Sequence, residues 1–196
     1  MPTELLTAWL LGYLLGSIPF GLILTRLAGK GDVRDVGSGN IGATNVLRAG
    51  GKGLAAATLL LDCLKATAAI LLAGRLWPGT ESIAAAGALI GHLYPVWLRF
   101  KGGKGVATLL GILLPLLPIA AVVYALVWLG LLLTVRMSSV AGIAAAVSAP
   151  ITAAVFGAQH LFPMLLGFAL LVVWKHRTNI LRLKSGTEPR IGKSGA

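Results

Sequence analysis

The fold is decided by residues 106–135, which read VATLLGILLPLLPIAAVVYALVWLGLLLTV and carry no charge. As one helix this stretch would be about 45 Å long, too long for one membrane crossing and too short for two full ones. Pro115 and Pro118 stand at its middle, where proline removes a helix hydrogen bond and kinks or ends the helix. A break there predicts two short crossings, whereas a kinked continuous helix predicts one.

The rest of the chain contains five more apolar stretches. Further apolar stretches run over Leu5–Leu27, Leu54–Ala73, Ile83–Leu98, Val140–Ala158 and Leu161–Trp174. With 57% hydrophobic and 12% charged residues, the chain is far from the composition of a soluble domain. Its 26 glycines suit helices that pack closely in lipid. We therefore expect an all-α integral membrane protein, one polytopic domain over residues 1–196. The first stretch is expected to be a retained span, because Met1–Glu4 lacks the basic region of a cleavable signal.

The distribution of charge selects between six and seven spans. With seven, all of the 17 lysines and arginines except Lys65 and Arg75 lie on one side of the membrane. With six, the basic tail would lie opposite the basic first loop. The positive-inside rule therefore predicts seven transmembrane helices, with the N-terminus outside and the C-terminus cytoplasmic. Orientation and anionic lipid headgroups account for the net charge of +11, so no nucleic acid is expected as a partner.

The first polar loop, residues 37–48, reads GSGNIGATNVLR and satisfies the dinucleotide-binding pattern G-x-G-x-x-G. We reject that interpretation, because no buried strand precedes Gly37 and the acid that follows, Asp62, lies inside a membrane segment. The loop could bind an anion, because glycines let backbone N–H groups converge on one. The alternative is a polar loop that is ordered by its own turns and binds nothing. The side-chain donors would be Ser38, Thr44, Asn45 and Arg48.

A second segment, residues 91–108, reads GHLYPVWLRFKGGKGVAT. Its Gly-Gly-Lys-Gly directly precedes a predicted helix, whose N-terminus favours phosphate. The segment is not a Walker motif, because Gly105 follows Lys104 where Ser or Thr is required. A basic turn that anchors to headgroups is the alternative.

Three polar side chains lie within the spans. His92 is about eight residues from the cytoplasmic end of the third span, where imidazole marks a site or bonds a neighbouring helix. Asp62 and Lys65 are three residues apart, so they can neutralise each other, and we expect a structural ion pair. The single cysteine, Cys63, has no partner for a disulfide or a metal site.

The tail, residues 175–188, reads KHRTNILRLKSGTE. If the seventh helix continues past the membrane, His176, Asn179 and Arg182 share one face at i, i+3 steps. A solvated amphipathic tail is the alternative. Ser139, in a short loop on the same side, adds a hydroxyl.

These three motifs, in this order, resemble the bacterial acyl-phosphate:glycerol-3-phosphate acyltransferase family, often called PlsY. The resemblance extends over essentially the whole chain, including Gly16–Gly21 and Asp62–Lys65. It implies a seven-helix enzyme of the bacterial cytoplasmic (inner) membrane with a cytoplasmic active face. Such an enzyme transfers a fatty acyl group from acyl phosphate to the sn-1 hydroxyl of glycerol 3-phosphate. The products are lysophosphatidic acid and phosphate, in the first acylation step of phospholipid biosynthesis.

Both implied substrates carry phosphate, so two anion sites are expected on the cytoplasmic side. The donor phosphate is expected to bind Ser38, Lys104 and the backbone of Gly102, Gly103 and Gly105. Glycerol 3-phosphate is expected to bind Arg48, Ser139, His176 and Asn179. The catalytic residues would be Ser38, Arg48, Lys104, His176 and Asn179, and further substrate-binding residues would be Asn40, Thr44, Asn45, His92, Arg182 and Glu188.

An acyl phosphate is already activated, so the glycerol hydroxyl can attack it directly without an acyl-enzyme. The general base would be His176, His92 or the departing donor phosphate. No cofactor, metal or obligate protein partner is expected, only the two substrates and membrane lipid. The His-x4-Asp motif of another acyltransferase class is absent, because the fifth residues after the three histidines are Trp97, Leu165 and Leu181.

The main alternative is a small anion or phosphate-ester transporter, which would also have basic loops, broken helices and intramembrane charges. Against it, the polar motifs cluster on one side and no inverted repeat is apparent. A headgroup-anchored scaffold protein is a third possibility, which leaves the polar motifs without a role.

Overall fold

A computed structural model of the protein describes residues 1–192. Across these residues the regular structure is helical and contains no strand, which confirms the all-α prediction. The helices form two compact units, Met1–Leu116 and the chain from Leu117 onward. Lys193, counted above with the basic tail, lies outside the described residues.

The first unit contains six α-helices within the described chain. They are α1 Pro2–Gly16, α2 Phe20–Leu27, α3 Ala43–Gly50, α4 Lys52–Leu76, α5 Glu81–Leu93 and α6 Val106–Leu116. Short 3-10 turns lie at Val33–Asp35 and Val96–Leu98. Helix α4 is central, because it packs against all five other helices of the unit.

Helices α1 and α5 approach each other through glycines spaced four residues apart. Gly12 and Gly16 of α1 lie against the backbone of α5, while Gly87 and Gly91 of α5 lie against the backbone of α1. A Cβ at any of these positions would collide with the facing main chain. Small residues at this spacing allow close helix packing in lipid, where the hydrophobic effect does not drive association.

We expected the third apolar stretch to be helical as far as Leu98, and this prediction is wrong. Helix α5 ends at Leu93, since Pro95 disfavours helical backbone at the preceding residue. His92 therefore lies in the last turn of the helix instead of eight residues inside it. This places its ring next to the turn that follows.

Hydrogen bonds to the first stretch hold the segment after α5 in place. The Tyr13 hydroxyl donates to the Tyr94 carbonyl at 2.9 Å and accepts from the Val96 N–H at 3.0 Å. The Trp97 indole N–H donates to the Ser17 carbonyl at 2.8 Å. Ser17 itself lies in a break between α1 and α2, so the first stretch is also not one continuous helix.

The second unit contains four α-helices among the residues described. They are α7 Pro118–Thr134, α8 Ser138–Val155, α9 Phe162–Lys175 and α10 Arg177–Lys184. Helix α8 packs against both α7 and α9, and a 3-10 turn at Gln159–Leu161 precedes α9. The sequence left open whether the last span continues into the tail. In the structure α9 ends at Lys175 and α10 begins at Arg177, so a second helix follows directly, with His176 between the two.

The predicted break in the fourth stretch is confirmed, because α6 ends at Leu116 and α7 begins at Pro118. By length and composition, three segments could cross a membrane: Pro2–Leu27, Lys52–Leu76 and Ser138–Val155. The shorter apolar helices are Val106–Leu116, Pro118–Thr134 and Gln159–Lys175. Seven spans and their orientation stay predictions.

Candidate active site

One buried amide orders the first loop. The Asn45 side chain donates to the carbonyls of Val33, Val36 and Asn40 at 2.7, 2.9 and 2.8 Å, and its Oδ1 accepts from the Ser38 N–H at 3.0 Å. With 2% of its surface exposed, Asn45 is committed to main-chain groups. Its role in this structure is to shape the loop on which the other expected residues lie.

The loop presents Ser38 and Arg48 to solvent, since both are exposed. Gly37 and Gly39 on either side of Ser38 have left-handed backbone (φ 57° and 67°), which favours glycine. The Arg48 side chain extends back along Gly37, where an added Cβ would lie 3.1 Å from Arg48 Cδ. Ser38 and Arg48 therefore lie on the same part of the loop.

The two other residues expected in this loop are half-buried. Asn40 Oδ1 accepts from the Gly42 N–H at 2.8 Å, and Thr44 lies in the first turn of α3. Asn40 thus closes a local turn just before the helix.

The glycine-rich turn before α6 is folded back onto the end of α5. The Gly103 N–H donates to the His92 carbonyl at 3.0 Å, and the Gly102 N–H donates to the Leu93 carbonyl at 3.3 Å. A Cβ at Gly102 would collide with the His92 carbonyl, and one at Gly103 would collide with the His92 ring. These contacts explain why two consecutive glycines are needed here.

Lys104 and Gly105 connect this turn to α6. Gly105 has left-handed backbone (φ 86°), and its carbonyl accepts the Leu109 N–H at 2.8 Å, which closes the first turn of the helix. Lys104 is half-buried beside it. In the same turn the fully buried Thr108 hydroxyl has no hydrogen-bond partner among the described residues. A lysine and a hydroxyl at a helix N-terminus suit an anion.

A buried polar cluster lies under this turn. Lys65 Nζ is 2.7 Å from Asp62 Oδ1, 2.7 Å from the Ile18 carbonyl and 3.0 Å from His92 Nδ1. The expected ion pair between Asp62 and Lys65 is thus confirmed, with both side chains at most 4% exposed. The contact with His92 was not expected, because it depends on how α4 packs against α5.

In the second unit, one histidine has a defined tautomer. His176 is 2% exposed, and its Nδ1 is 2.8 Å from the Val172 carbonyl. A carbonyl can only accept, so Nδ1 carries the proton. In the neutral ring Nε2 then carries the lone pair, which can accept a proton or a hydrogen bond.

The carboxylate of Glu188 joins the tail to α10. Asn179 Nδ2 donates to Glu188 Oε1 at 2.6 Å, and Arg182 Nε donates to Glu188 Oε2 at 2.8 Å. Burial alone would raise the pKa of the Glu188 carboxyl, but the polar groups of Ser139, Asn179 and Arg182 lower it below its ordinary value. Glu188 therefore stays ionised and fixes the orientation of Asn179.

Ser139 lies in the first turn of α8 and is 2% exposed. It is close enough to Glu188 to lower the pKa of that carboxyl, yet its hydroxyl has no partner with hydrogen-bond geometry in the described part of the chain. A buried hydroxyl without a partner costs about 1–3 kcal/mol, so it suits a position where a substrate group supplies the partner.

Two features escaped the sequence interpretation. One is the Lys65–His92 contact, for which the only signal was two polar residues in neighbouring spans. The other is the orphan hydroxyl of Thr108, whose signal was its place in the first turn after Gly-Gly-Lys-Gly. Residues 1–192 contain no group of three or more His, Cys, Asp or Glu side chains that could hold a metal ion.

The chain is similar to known proteins along nearly its whole length. A family model described as "Glycerol-3-phosphate acyltransferase" matches residues 6–186. A glycerol-3-phosphate acyltransferase of Mesorhizobium japonicum is 56% identical over 100% of both chains. One from Agrobacterium fabrum is 55% identical over 99% of this chain and 95% of that protein.

Two solved structures are also similar, both of PlsY, described as an integral membrane glycerol 3-phosphate acyltransferase. The glycerol 3-phosphate form has a TM-score of 0.90 and 41% identity, covering 96% of each chain. The lysophosphatidic acid form has a TM-score of 0.88 and 40% identity, covering 96% of this chain and 95% of the other. Family match, full-length identity and shared fold agree that this integral membrane protein belongs to the glycerol-3-phosphate acyltransferase (PlsY) family.

Proposed function

We propose that this protein transfers a fatty acyl group from acyl phosphate to the sn-1 hydroxyl of glycerol 3-phosphate, giving lysophosphatidic acid and phosphate. The observation that carries the proposal is the Gly102–Gly105 turn, which two main-chain hydrogen bonds hold against the end of α5 and which places Lys104 just before α6. Membership of the family supports the acceptor and the product. The donor and the position of acylation are inferred from the chemistry of the site and the resemblance of the motifs.

The donor phosphate binds the first unit in this proposal. Lys104 supplies the charge, and the N-terminus of α6 after Gly105 favours the phosphate. The N–H groups of Gly102 and Gly103, which the sequence suggested as phosphate ligands, donate to the Leu93 and His92 carbonyls and shape the turn instead. Ser38 adds a hydroxyl from the first loop and Thr44 adds one from the first turn of α3, while Asn40 and Asn45 hold the loop through hydrogen bonds to its main chain.

In this proposal glycerol 3-phosphate binds one cationic side chain and three neutral polar side chains. Arg48 pairs with its phosphate, as a guanidinium can form two parallel hydrogen bonds to it. Ser139, His176 and Asn179 bind the glycerol portion or phosphate oxygens, and Arg182 and Glu188 hold Asn179 in position.

The reaction is a direct attack. The sn-1 oxygen forms a bond to the acyl carbon, the bond from that carbon to the phosphate oxygen breaks, and phosphate leaves with the electron pair. The hydroxyl proton passes to His176 Nε2 or to the departing phosphate. His92 is unsuited to accept this proton, because its Nδ1 accepts from the Lys65 ammonium and Nε2 of the neutral ring then carries a proton already.

The decisive experiment measures phosphate release by purified protein with acyl phosphate, with and without glycerol 3-phosphate, and identifies the acylated position of the product. Release is expected only with both substrates, and the product is expected to be the 1-acyl isomer. Arg48→Ala and Lys104→Ala are each expected to lower kcat/KM by about 100-fold or more, the loss of a charge-assisted contact. Unchanged turnover in both variants would refute the two phosphate sites.

Three further measurements discriminate among the functions and mechanisms considered. Uptake of glycerol 3-phosphate into proteoliposomes without acyl phosphate would favour the transporter. A covalent acyl-protein trapped and located by mass spectrometry would refute direct attack. His176→Gln separates the two proton acceptors: retained kcat assigns the proton to phosphate, and a large loss assigns it to His176.

A further inference from the structure

We propose that Lys65 is a positioning residue: its ammonium holds His92 as the Nε2–H tautomer, and the His92 ring in turn holds the Gly102–Gly105 turn in shape. Asp62 completes the arrangement as the partner of Lys65. The inference rests on the proposed function only in treating acyl phosphate as the ligand of that turn.

The hydrogen-bond count of Lys65 supports the first step. An ammonium group has three protons and accepts nothing. Its three neighbours within 3.0 Å are Asp62 Oδ1, the Ile18 carbonyl and His92 Nδ1, one acceptor for each proton. If Nδ1 carried a proton, two donors would face each other at 3.0 Å in a buried place. The neutral imidazole therefore carries its proton on Nε2.

The second step follows from the packing of the ring. His92 is 4% exposed, and its Nε2 edge faces Gly103 so closely that a Cβ there would collide with the ring. The His92 carbonyl also accepts the Gly103 N–H at 3.0 Å. The turn is thus held by His92 from both its ring and its main chain, and a rotation of the ring would displace it.

A simple ion pair would not require this arrangement. Asp62 alone neutralises Lys65, and the Ile18 carbonyl could be matched by any neighbouring main-chain group. The contact with His92 instead connects a buried charge of α4 to the turn that carries Lys104. Misplacing such a turn by a fraction of an ångström weakens binding of the group it holds.

The tautomer can be measured directly. In the full chain with His160→Gln and His176→Gln, His92 is the only histidine, so ¹⁵N-histidine labelling reports it alone. We expect a non-protonated Nδ1 and a protonated Nε2. Asp62→Asn in the same background should keep this spectrum, because Lys65 retains three acceptors. A protonated Nδ1 in the starting protein would overturn the proposal regardless of enzymatic activity.

Kinetics test the consequence for the turn. Removing Lys65 alone leaves Asp62 buried and unpaired, so the variant to use is Asp62→Leu with Lys65→Met, which removes both charges at similar volume. The KM for acyl phosphate is expected to rise about tenfold or more, with the KM for glycerol 3-phosphate within about twofold of the parent. The ring should show a mixture of tautomers.

Thr67→Val is the matched control on the same helix. It removes a half-buried contact between helices, the hydrogen bond from Thr67 to the Gly111 carbonyl at 2.7 Å, without touching His92. Both KM values should stay at the parent level. A double variant that folds with an unchanged donor KM, or with both KM values raised equally, would reduce Lys65 to a structural role. Absence of acylation in the parent protein would refute the proposed function and leave the tautomer test intact.

Discussion

At the scale of single residues, Asn45 makes more of the hydrogen bonds that order the first loop than its neighbours do. Its amide makes four contacts with the main chain, from Val33 to Asn40. Asparagine-rich polar loops are easy to recognise in a sequence. Which asparagine turns inward is decided by the path of the chain around it.

Asn45→Ala should unfold this loop locally, because four main-chain groups lose their partner, among them the Val33 carbonyl in a buried contact. The expected loss is about 1–3 kcal/mol of local stability. Hydrogen exchange of residues 33–45 measures it, with Asn40→Ala as the control, because Asn40 makes one side-chain contact, to Gly42. Equal exchange rates in the two variants would contradict the role assigned to Asn45.

The tail should loosen only at unusually low pH, because Glu188 stays ionised in the folded protein. Its pKa is lowered in the folded protein, so the stabilisation of the tail is fully present above the ordinary value of 4.5. It should persist somewhat below that value and disappear as pH falls through the lowered folded pKa. A fluorescent probe at Arg190→Cys, in a Cys63→Ala background, should report increased mobility only in that acidic range.

Glu188→Gln is the control for this titration, because an amide does not ionise. The mobility of its tail should not change between about pH 3 and pH 6, the range in which carboxyl groups titrate. A parent tail that loosens above the ordinary value of the Glu188 pKa would contradict the contacts with Asn179 and Arg182.

At the scale of helices, the contact between α1 and α5 depends on an absence of side chains. Gly12, Gly16, Gly87 and Gly91 let the two backbones approach where any Cβ would collide. The resulting contact fixes the end of α5, and hence His92. Small residues signal close packing in a sequence, but the pairing of these two helices required the structure.

Gly87→Ala should separate α1 from α5, because the new Cβ collides with the Trp9 carbonyl. The overpacking is expected to cost about 1–3 kcal/mol. Gly53→Ala is the matched control in α4, since nothing lies within 4 Å of a Cβ at that position. Thermal unfolding in detergent should show a lowered Tm for Gly87→Ala and an undiminished Tm for Gly53→Ala. Equal shifts would contradict the close packing.

At the scale of the whole molecule, the predicted topology has seven spans with the N-terminus outside. Single cysteines in a Cys63→Ala background test it with a membrane-impermeant thiol reagent. Thr3→Cys, Ser82→Cys and Gln159→Cys should react in intact cells, because they precede or connect spans on the outer side. Lys101→Cys and Lys184→Cys should react only after permeabilisation. Labelling of Lys184→Cys in intact cells would favour six spans.

The sequence predicted the class of fold because lipid imposes a simple rule: apolar stretches must close their own backbone hydrogen bonds as helices. It also predicted the break in the fourth stretch, since the effect of Pro115 and Pro118 is local. The motifs that identify the family are contiguous runs of residues, and for that reason they too were readable without a structure.

What only the tertiary structure decided are the contacts between residues distant along the chain. The end of α5 at Leu93, the interruption at His176 and the turn of Gly102 onto α5 depend on packing that periodicity does not record. The meeting of Lys65 with His92 is of the same kind, because its 27-residue separation carries no local signal. The sequence shows which polar groups lie within membrane segments, whereas the packing of the helices determines which hydrogen-bond partner each of these buried groups has.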